Sequence, residues 1–393
     1  INACTVPLDL IMGKVNTKII VIPKKNARVV AEILCFGAGW RHDPPDRQGL
    51  SHFLEHVIAS DDVDRIMKIR YYGGERIAQT SADFIRGMHY VPKFVWKENL
   101  IFLLDYLYKT EIRQTKVDSQ KKFLTKEIKH WNSFPHNQLL KKIMHLTFYP
   151  HPYSNRSSGK VEDIKRITLS LLEHFRRCFW GDIMILVEGD VNEHEVREVV
   201  NKYFEKRKVE TEVWEHKEYS FPENGKVKKE IEIEGSIKYL AFGGMIKEPN
   251  TEDIVSLYIL SFLFLINDSE LKRILNKARV PAVSTQSSVT PVFLTDASAF
   301  VGTIVLEKEL KSVDFSSVWY ALSKEFNYLK EKVLIYQEVQ DLWSEADLRS
   351  RIYFSNRDYD DFVDKLNNID SKTFLNVYEK LDREAIILTR RKT

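Results

Sequence analysis

The stretch Gly49-Leu50-Ser51-His52-Phe53-Leu54-Glu55-His56 most constrains how this chain can fold. Its periodicity is helical. Leu50, Phe53, Leu54, Val57 and Ile58 fall on one face, while His52, Glu55 and His56, at i, i+3 and i+4, share the other. Such a helix needs a core on one side and polar partners on the other. Two imidazoles one turn apart can grip one divalent metal, with a carboxylate between them. The pattern is H-x-x-E-H, the inverse of H-E-x-x-H. The same side chains could instead form a solvated charged face, and the motif alone leaves both readings open.

The flanking sequence supplies the core that this helix needs. Residues 18–22 (KIIVI) and 29–36 (VVAEILCF) read as strands around the turn 23–26, and 37–45 as a loop into the helix. After Gly73-Gly74, residues 75–81 read as a strand and 87–92 as its hairpin neighbour. A helix is expected over 94–110 and another over 119–131, with Phe123, Leu124, Ile128 and Trp131 on one stripe. Glu127 lies on that stripe. A core-facing glutamate needs a partner, which could be an arginine, a helix N-terminus or a metal. Two histidines from one helix and a glutamate from a later one make the His₂Glu set of a catalytic zinc site, whose fourth position is left for water.

Beyond residue 148 the pattern continues with a loop, a helix over 169–179, a strand over 182–187 and a helix to about 206. Residues 208–225 are polar and read as a linker between a catalytic domain, 1–207, and a second domain, 226–393. The second part restarts with a long strand over 226–246. Helices follow at 252–266 and 271–277, then strands at 283–290 and 300–306. A long helix is expected over 313–330 and another from 333 through 343. A late helix over 371–380 and a final strand over 385–389 complete the chain. Each part runs strand pair, helices, strands, helices, final strand. This layout predicts an α+β fold of two homologous domains, each a mixed, mostly antiparallel sheet flanked by helices, related by internal duplication.

Composition narrows the function classes. At 393 residues the chain exceeds one ordinary core. Lys+Arg total 59 against 56 Asp+Glu, interspersed, so charge gives no reason to expect nucleic acid or an anionic membrane as partner. Cys4, Cys35 and Cys178 are odd in number and form no C-x-x-C, which suits a reducing compartment. No signal peptide is visible, because Asp9, Lys14 and Lys18 break the first apolar run, so a cytoplasmic location is expected. The greasiest segment, 256–266, is too short for a membrane span.

The motifs together resemble the pitrilysin/insulysin-like zinc metallopeptidases, closest to a short-chain branch that includes mitochondrial processing peptidase subunits and bacterial heterodimeric relatives. The resemblance runs through GLSHFLEH (49–56), Gly73-Gly74, KKFLTKEI (121–128), His151-Pro152-Tyr153 and Glu188-Gly189-Asp190-Val191. It covers the first half in order and the second half in layout. Glu127 follows His56 by 127 − 56 = 71 positions, slightly short of the family's gap. The resemblance implies one Zn²⁺ held by His52, His56 and Glu127, Glu55 as general base, and a substrate-pairing edge strand at Ile77, Ala78, Gln79 and Thr80.

Three departures stand out. The family's second-shell glutamate, seven residues before the ligand, is Gln120 here. Ile77-Ala78 replaces Asn-Ala on the edge strand. The arginine and tyrosine that hold substrate in the family's second half fall at Asn276 and Val283, with Arg279 nearby but off register. The chain therefore looks like the zinc-bearing subunit of a heterodimer whose homologous partner supplies the Arg/Tyr pair. The two subunits would enclose a chamber that admits short unfolded peptides or leader segments. The alternative is a non-catalytic assembly subunit that keeps the fold and the metal site.

Overall fold

The computed structural model of the protein describes residues 10–391, apart from 13–14, 60–62, 109–110, 180–181, 207–211, 215–218, 234–235, 267 and 287–292. In chain order the first half contains β1 (Leu10–Met12), β2 (Val15–Pro23), β3 (Val29–Phe36), α1 (Leu50–Ala59), α2 (Val63–Tyr71), β4 (Glu75–Thr80), β5 (Ile85–Pro92) and α3 (Trp96–Tyr108). It continues with α4 (Gln114–Asn132), α5 (Pro135–Phe148), α6 (Val161–Arg166), α7 (Leu169–Cys178), β6 (Asp182–Gly189) and α8 (Glu193–Glu205). The second half opens with β7 (Gly225–Ile233), β8 (Lys238–Lys247), α9 (Thr251–Leu265), α10 (Ser269–Lys277), β9 (Ala282–Gln286) and β10 (Ala297–Leu306). It ends with α11 (Phe315–Lys324), α12 (Phe326–Glu338), α13 (Leu342–Phe354), α14 (Tyr359–Asn368), α15 (Ser371–Glu379) and β11 (Arg383–Arg391).

These elements form two compact units. The first comprises Ile1–Ile128, Arg156–Glu218 and Gln340–Phe354. Its six-stranded sheet has the order β1-β2-β6-β3-β5-β4. Only the β2–β6 pair is parallel. The near-continuous apolar run of β3 is explained by its central place, with α3 and α13 both packed on it. Along β5 the faces alternate: Arg86 meets Ser350 of α13, while Gly87 abuts Leu103 of α3. Among the described residues β4 is the last strand and is hydrogen-bonded to β5 alone.

The second unit comprises Lys129–Asn155, Tyr219–Val339 and Ser355–Thr393. Its five-stranded sheet has the order β7-β11-β8-β10-β9, with β7–β11 the parallel pair. Leaving aside β1, this repeats the first sheet strand for strand: β2-β6-β3-β5-β4 becomes β7-β11-β8-β10-β9. The duplication expected from the layout is thus present in the topology, and the α+β fold with mixed, mostly antiparallel sheets is as read. α5 packs on β8, β10 and β11.

The compact units differ from the contiguous blocks 1–207 and 226–393. Residues 129–155 belong with the second sheet and 340–354 with the first, because the apolar faces of α5 and α13 are buried there. Of the expected linker, 207–211 and 215–218 lie outside the described residues, while Trp214 packs edge-on against Phe175 and donates to the His42 carbonyl at 3.0 Å. The long strand expected over 226–246 is two strands, β7 and β8, which are not neighbours; β11 runs between them. The helix expected over 313–330 is broken at Glu325, where α11 ends and α12 begins. Of the strand expected over 283–290, residues 287–290 lie outside the described residues. Among the described residues no single helix is long and apolar enough to cross a membrane.

Candidate metal and catalytic site

α1 is positioned from both ends of its approach. Leu50, Phe53, Leu54, Val57 and Ile58 are all buried, as their spacing predicts. Asp43, six residues upstream of Gly49, is buried and accepts from the Gly49 N–H at 2.7 Å and the Ser51 N–H at 2.9 Å. An anionic acceptor at unpaired N–H groups is the natural partner of a helix N-terminus. Burial nevertheless pushes the Asp43 pKa up to about 7, against those hydrogen bonds. The turn before α1 also needs glycine. Gly49 has φ +94°, and a Cβ on Gly159 would fall 2.1 Å from the Gln48 carbonyl oxygen.

The structure brings the three expected ligands together. His52 Nε2 and His56 Nε2 lie 3.1 Å apart. Glu127 of α4 places its carboxylate oxygens 3.8 Å from His52 Nε2 and 3.5 Å from His56 Nε2. Donors 2.0–2.2 Å from a tetrahedral zinc stand about 3.3–3.5 Å from one another, so the donor set fits that ion in chemistry and in spacing. Burial, helped by the neighbouring His56, lowers the His52 pKa to about 3. Burial lowers that of His56 as well, opposed by Glu127 and Gln120. Both rings are therefore neutral near pH 7, with lone pairs free for a metal.

Glu127 does not lie in the core as its stripe suggested. Its side chain is 40% exposed, and Phe123 is exposed too, whereas Leu124 and Ile128 are buried. The helix turns 124 and 128 inward and offers 123 and 127 to α1; Phe123 packs at 5.4 Å from the His56 ring. Gln120, one turn earlier, faces His56 Nδ1 with its Oε1 at 3.3 Å and orients that imidazole. His52 Nδ1 is buried with no hydrogen-bond partner among the described residues.

Glu55 is nine-tenths buried and accepts a 2.6 Å hydrogen bond from the Thr80 hydroxyl. Burial lifts its pKa to about 7, with Glu127 adding to the rise and Thr80 opposing it. A carboxylate near neutrality, held by one donor beside three metal-type ligands, suits proton transfer. The four expected edge residues alternate. Thr80 turns towards α1, and Ala78 shares its face. Ile77 and Gln79 are exposed on the other side.

His151, Tyr153, Asn276, Arg279 and Val283 belong to the second unit. His151 is buried and stacks on Phe221 at 4.2 Å, and Tyr153 is fully buried. Asn276 Oδ1 accepts from the Ala282 N–H at 3.0 Å, Arg279 sits in the left-handed region at φ 63°, and Val283 is exposed on β9. Sequence reasoning missed Asp43, Gly159 and the Thr80–Glu55 bond. The one available sign was the Asp-Pro-Pro turn before the helix.

Residues 18–159 match the family described as Insulinase (Peptidase family M16). The chain is similar to the zinc protease PqqE of Helicobacter pylori, with 23% identity over 207 residues, 50% of this chain; the match spans under half of that relative, 46%. Its fold is similar to that of a protease from Helicobacter pylori, with a TM-score of 0.81 and 17% identity over 95% of this chain and 97% of that one. It is also similar to the peptidase M16 inactive domain from Pseudomonas fluorescens, with a TM-score of 0.76 and 15% identity over 97% and 96%. The H-x-x-E-H helix and its distant glutamate both lie within the residues, 18–159, that match the Insulinase (Peptidase family M16) family.

Proposed function

We propose that the chain is the zinc-bearing subunit of a metalloendopeptidase that hydrolyses short unfolded peptides or leader segments. A homologous partner would supply the substrate-gripping arginine and tyrosine and close the chamber. The observation that carries this reading is the convergence of His52, His56 and Glu127 beside a Glu55 held by Thr80. Zinc held there would polarise the scissile carbonyl and bring the pKa of water towards neutrality. Glu55 would act as the general base, taking a proton from the attacking water and returning it to the leaving amine, a role its buried, singly hydrogen-bonded carboxylate suits. Gln120 keeps the His56 ring turned for ligation. The outer edge of β4, unpaired among the described residues, offers its backbone to an extended peptide, which adds as a further strand.

Glu55→Gln tests this. The variant should fold, keep stoichiometric zinc by elemental analysis, and lose cleavage of an unstructured peptide by at least about a hundredfold, in the chain purified with its partner. Undiminished cleavage would remove Glu55 from the chemistry. The second reading, a non-catalytic assembly subunit, draws on Asn276, Val283 and Gln120 and on the likeness to an inactive domain. A wild-type complex that holds zinc and cuts no peptide decides for it.

A further inference from the structure

At its Gln79 end, the face of β4 turned towards α13 carries more positive than negative charge. Arg86 stands directly opposite Gln79 in the β4–β5 register and is buried. It pairs with Asp347 of α13 and donates to Ser350 Oγ at 3.1 Å. Arg351, one turn along α13, donates from Nε to the other Asp347 oxygen at 3.1 Å. Two guanidinium groups share one carboxylate, so one positive charge is left over. Both reach Gln79: its Oε1 accepts from Arg86 Nε at 3.2 Å and from Arg351 Nη2 at 3.4 Å. The carboxamide is therefore fixed with its oxygen inward and its NH₂ outward. Burial, together with repulsion from Arg351, lowers the Arg86 pKa to about 10, as expected of a cation short of counter-charge. Gln79 is exposed and the Arg351 side chain is 29% exposed, so the surplus charge is reachable from the sheet edge.

A peptide added to β4 places alternate side chains on this face. The geometry points to a specificity subsite, built from Gln79 and Arg351 over the Arg86–Asp347 pair, that selects a peptide carrying an Asp or Glu side chain opposite Gln79. This rests on the reading of β4 as the substrate-pairing edge. Thr80, the next residue, is bonded to Glu55, so the selected side chain belongs within a residue or two of the bond presented to Glu55. At the other end of the same face, Glu75 and Asp341 raise the Tyr90 pKa, after burial, and so mark a negative end. Glu75 is four residues from Gln79, about 13 Å along the strand, beyond the screening length at physiological salt. The acidic preference is thereby confined to one position.

The test is binding. The Glu55→Gln protein, with its partner, is titrated by fluorescence anisotropy with labelled unstructured peptides that differ only in where a single Glu replaces Gln. One position should bind Glu about fivefold more tightly than Gln, a ratio that shrinks with salt. Arg351→Gln should collapse the ratio to about one, Arg351→Lys should retain it, and Arg351→Glu should transfer the preference to Lys at the same position. No favoured position, a preference that survives Arg351→Gln, or no peptide binding at all would overturn the inference. Selective binding without cleavage by the wild type would sink the peptidase reading alone; cleavage without charge selection would sink only the subsite.

Discussion

Neutralising Glu188 should stabilise this protein, and only at high pH. Glu188 sits near the end of β6, fully buried. Its nearest cations, Arg349 Nε at 3.4 Å and Lys24 Nζ at 3.5 Å, are beyond good hydrogen-bond distance, and neither carboxylate oxygen has a hydrogen-bond partner among the described residues. Burial therefore dominates. It lifts the pKa from 4.5 to about 7, with Glu345 adding to the rise and Arg349 and Lys24 opposing it. A carboxyl whose pKa is higher in the native state contributes stability that is present below about pH 4.5 and is lost as pH rises through about 7. At about 1.4 kcal/mol per pH unit, that gap is worth roughly 3 kcal/mol. Glu188→Gln keeps the shape and removes the charge. The two cations are not stranded, because Arg349 reaches Glu345 at 2.6 Å and Lys24 reaches it at 3.0 Å. The expected gain at pH 8 is about 2 kcal/mol, after allowing for an amide NH₂ that needs its own acceptor. It should appear as a melting temperature raised by about 4–8 °C at pH 8 and nearly unchanged at pH 4.5. Thermal unfolding of both proteins at the two pH values is sufficient. A variant less stable at pH 8, or a difference that does not grow with pH, would show that the Glu188 carboxylate gains more from its cations than burial costs it.

Two further outcomes follow from the site itself. Asp43→Ala removes two charge-assisted hydrogen bonds and leaves buried N–H groups behind, so it should cost about 2–4 kcal/mol in denaturant unfolding and weaken zinc retention; an unperturbed variant would mean that α1 is held by its apolar face alone. Zinc at about a hundred times its dissociation constant should add about 2.7 kcal/mol of stability, reversed by a chelator and abolished in His52→Ala and in Glu127→Ala; a thermal shift that survives in His52→Ala would place the ion elsewhere.

The sequence is informative where structure and chemistry are written in neighbouring residues. α1 combines its apolar face and its two histidines within ten residues, and its orientation is as its periodicity predicts. Glu127 was identified through spacing, but the physical reason offered for it was wrong: the residue is half-exposed, and α4 presents it to α1 instead of burying it. Asp43 was illegible because it caps from six residues away across a turn, where a cap is usually sought next to the helix. Gly159 depends on a contact with residue 48 that no local pattern encodes. No element was assigned over 135–148, where α5 lies with Pro135 in its first helical turn, a position at which proline is tolerated. The apolar residues Leu139, Leu140 and Ile143 of that helix are buried on a sheet whose strands begin only at Gly225, a partner that no local pattern reveals.

The duplication bears on why, among the described residues, the candidate ligands His52, His56 and Glu127 belong to one repeat. α9 holds in the second repeat the place of α1 in the first, directly after the second strand of the sheet. α1 is apolar on one side only, and His52 and His56 stay partly exposed. α9 is buried on every side, continuously from Asp253 to Phe264, so it has no polar face on which ligands could project. The positions that would grip a peptide are committed as well. Asn276 spends its carboxamide oxygen on the Ala282 N–H, tying the end of α10 to the start of β9. Val283 can offer a peptide no hydrogen bond from its side chain. Restoring a grip at 276 would release that tie, so the turn and the grip compete for one side chain. A chain in this condition can keep the metal half of the chemistry and take the gripping half from a homologous subunit whose α10–β9 turn is built differently.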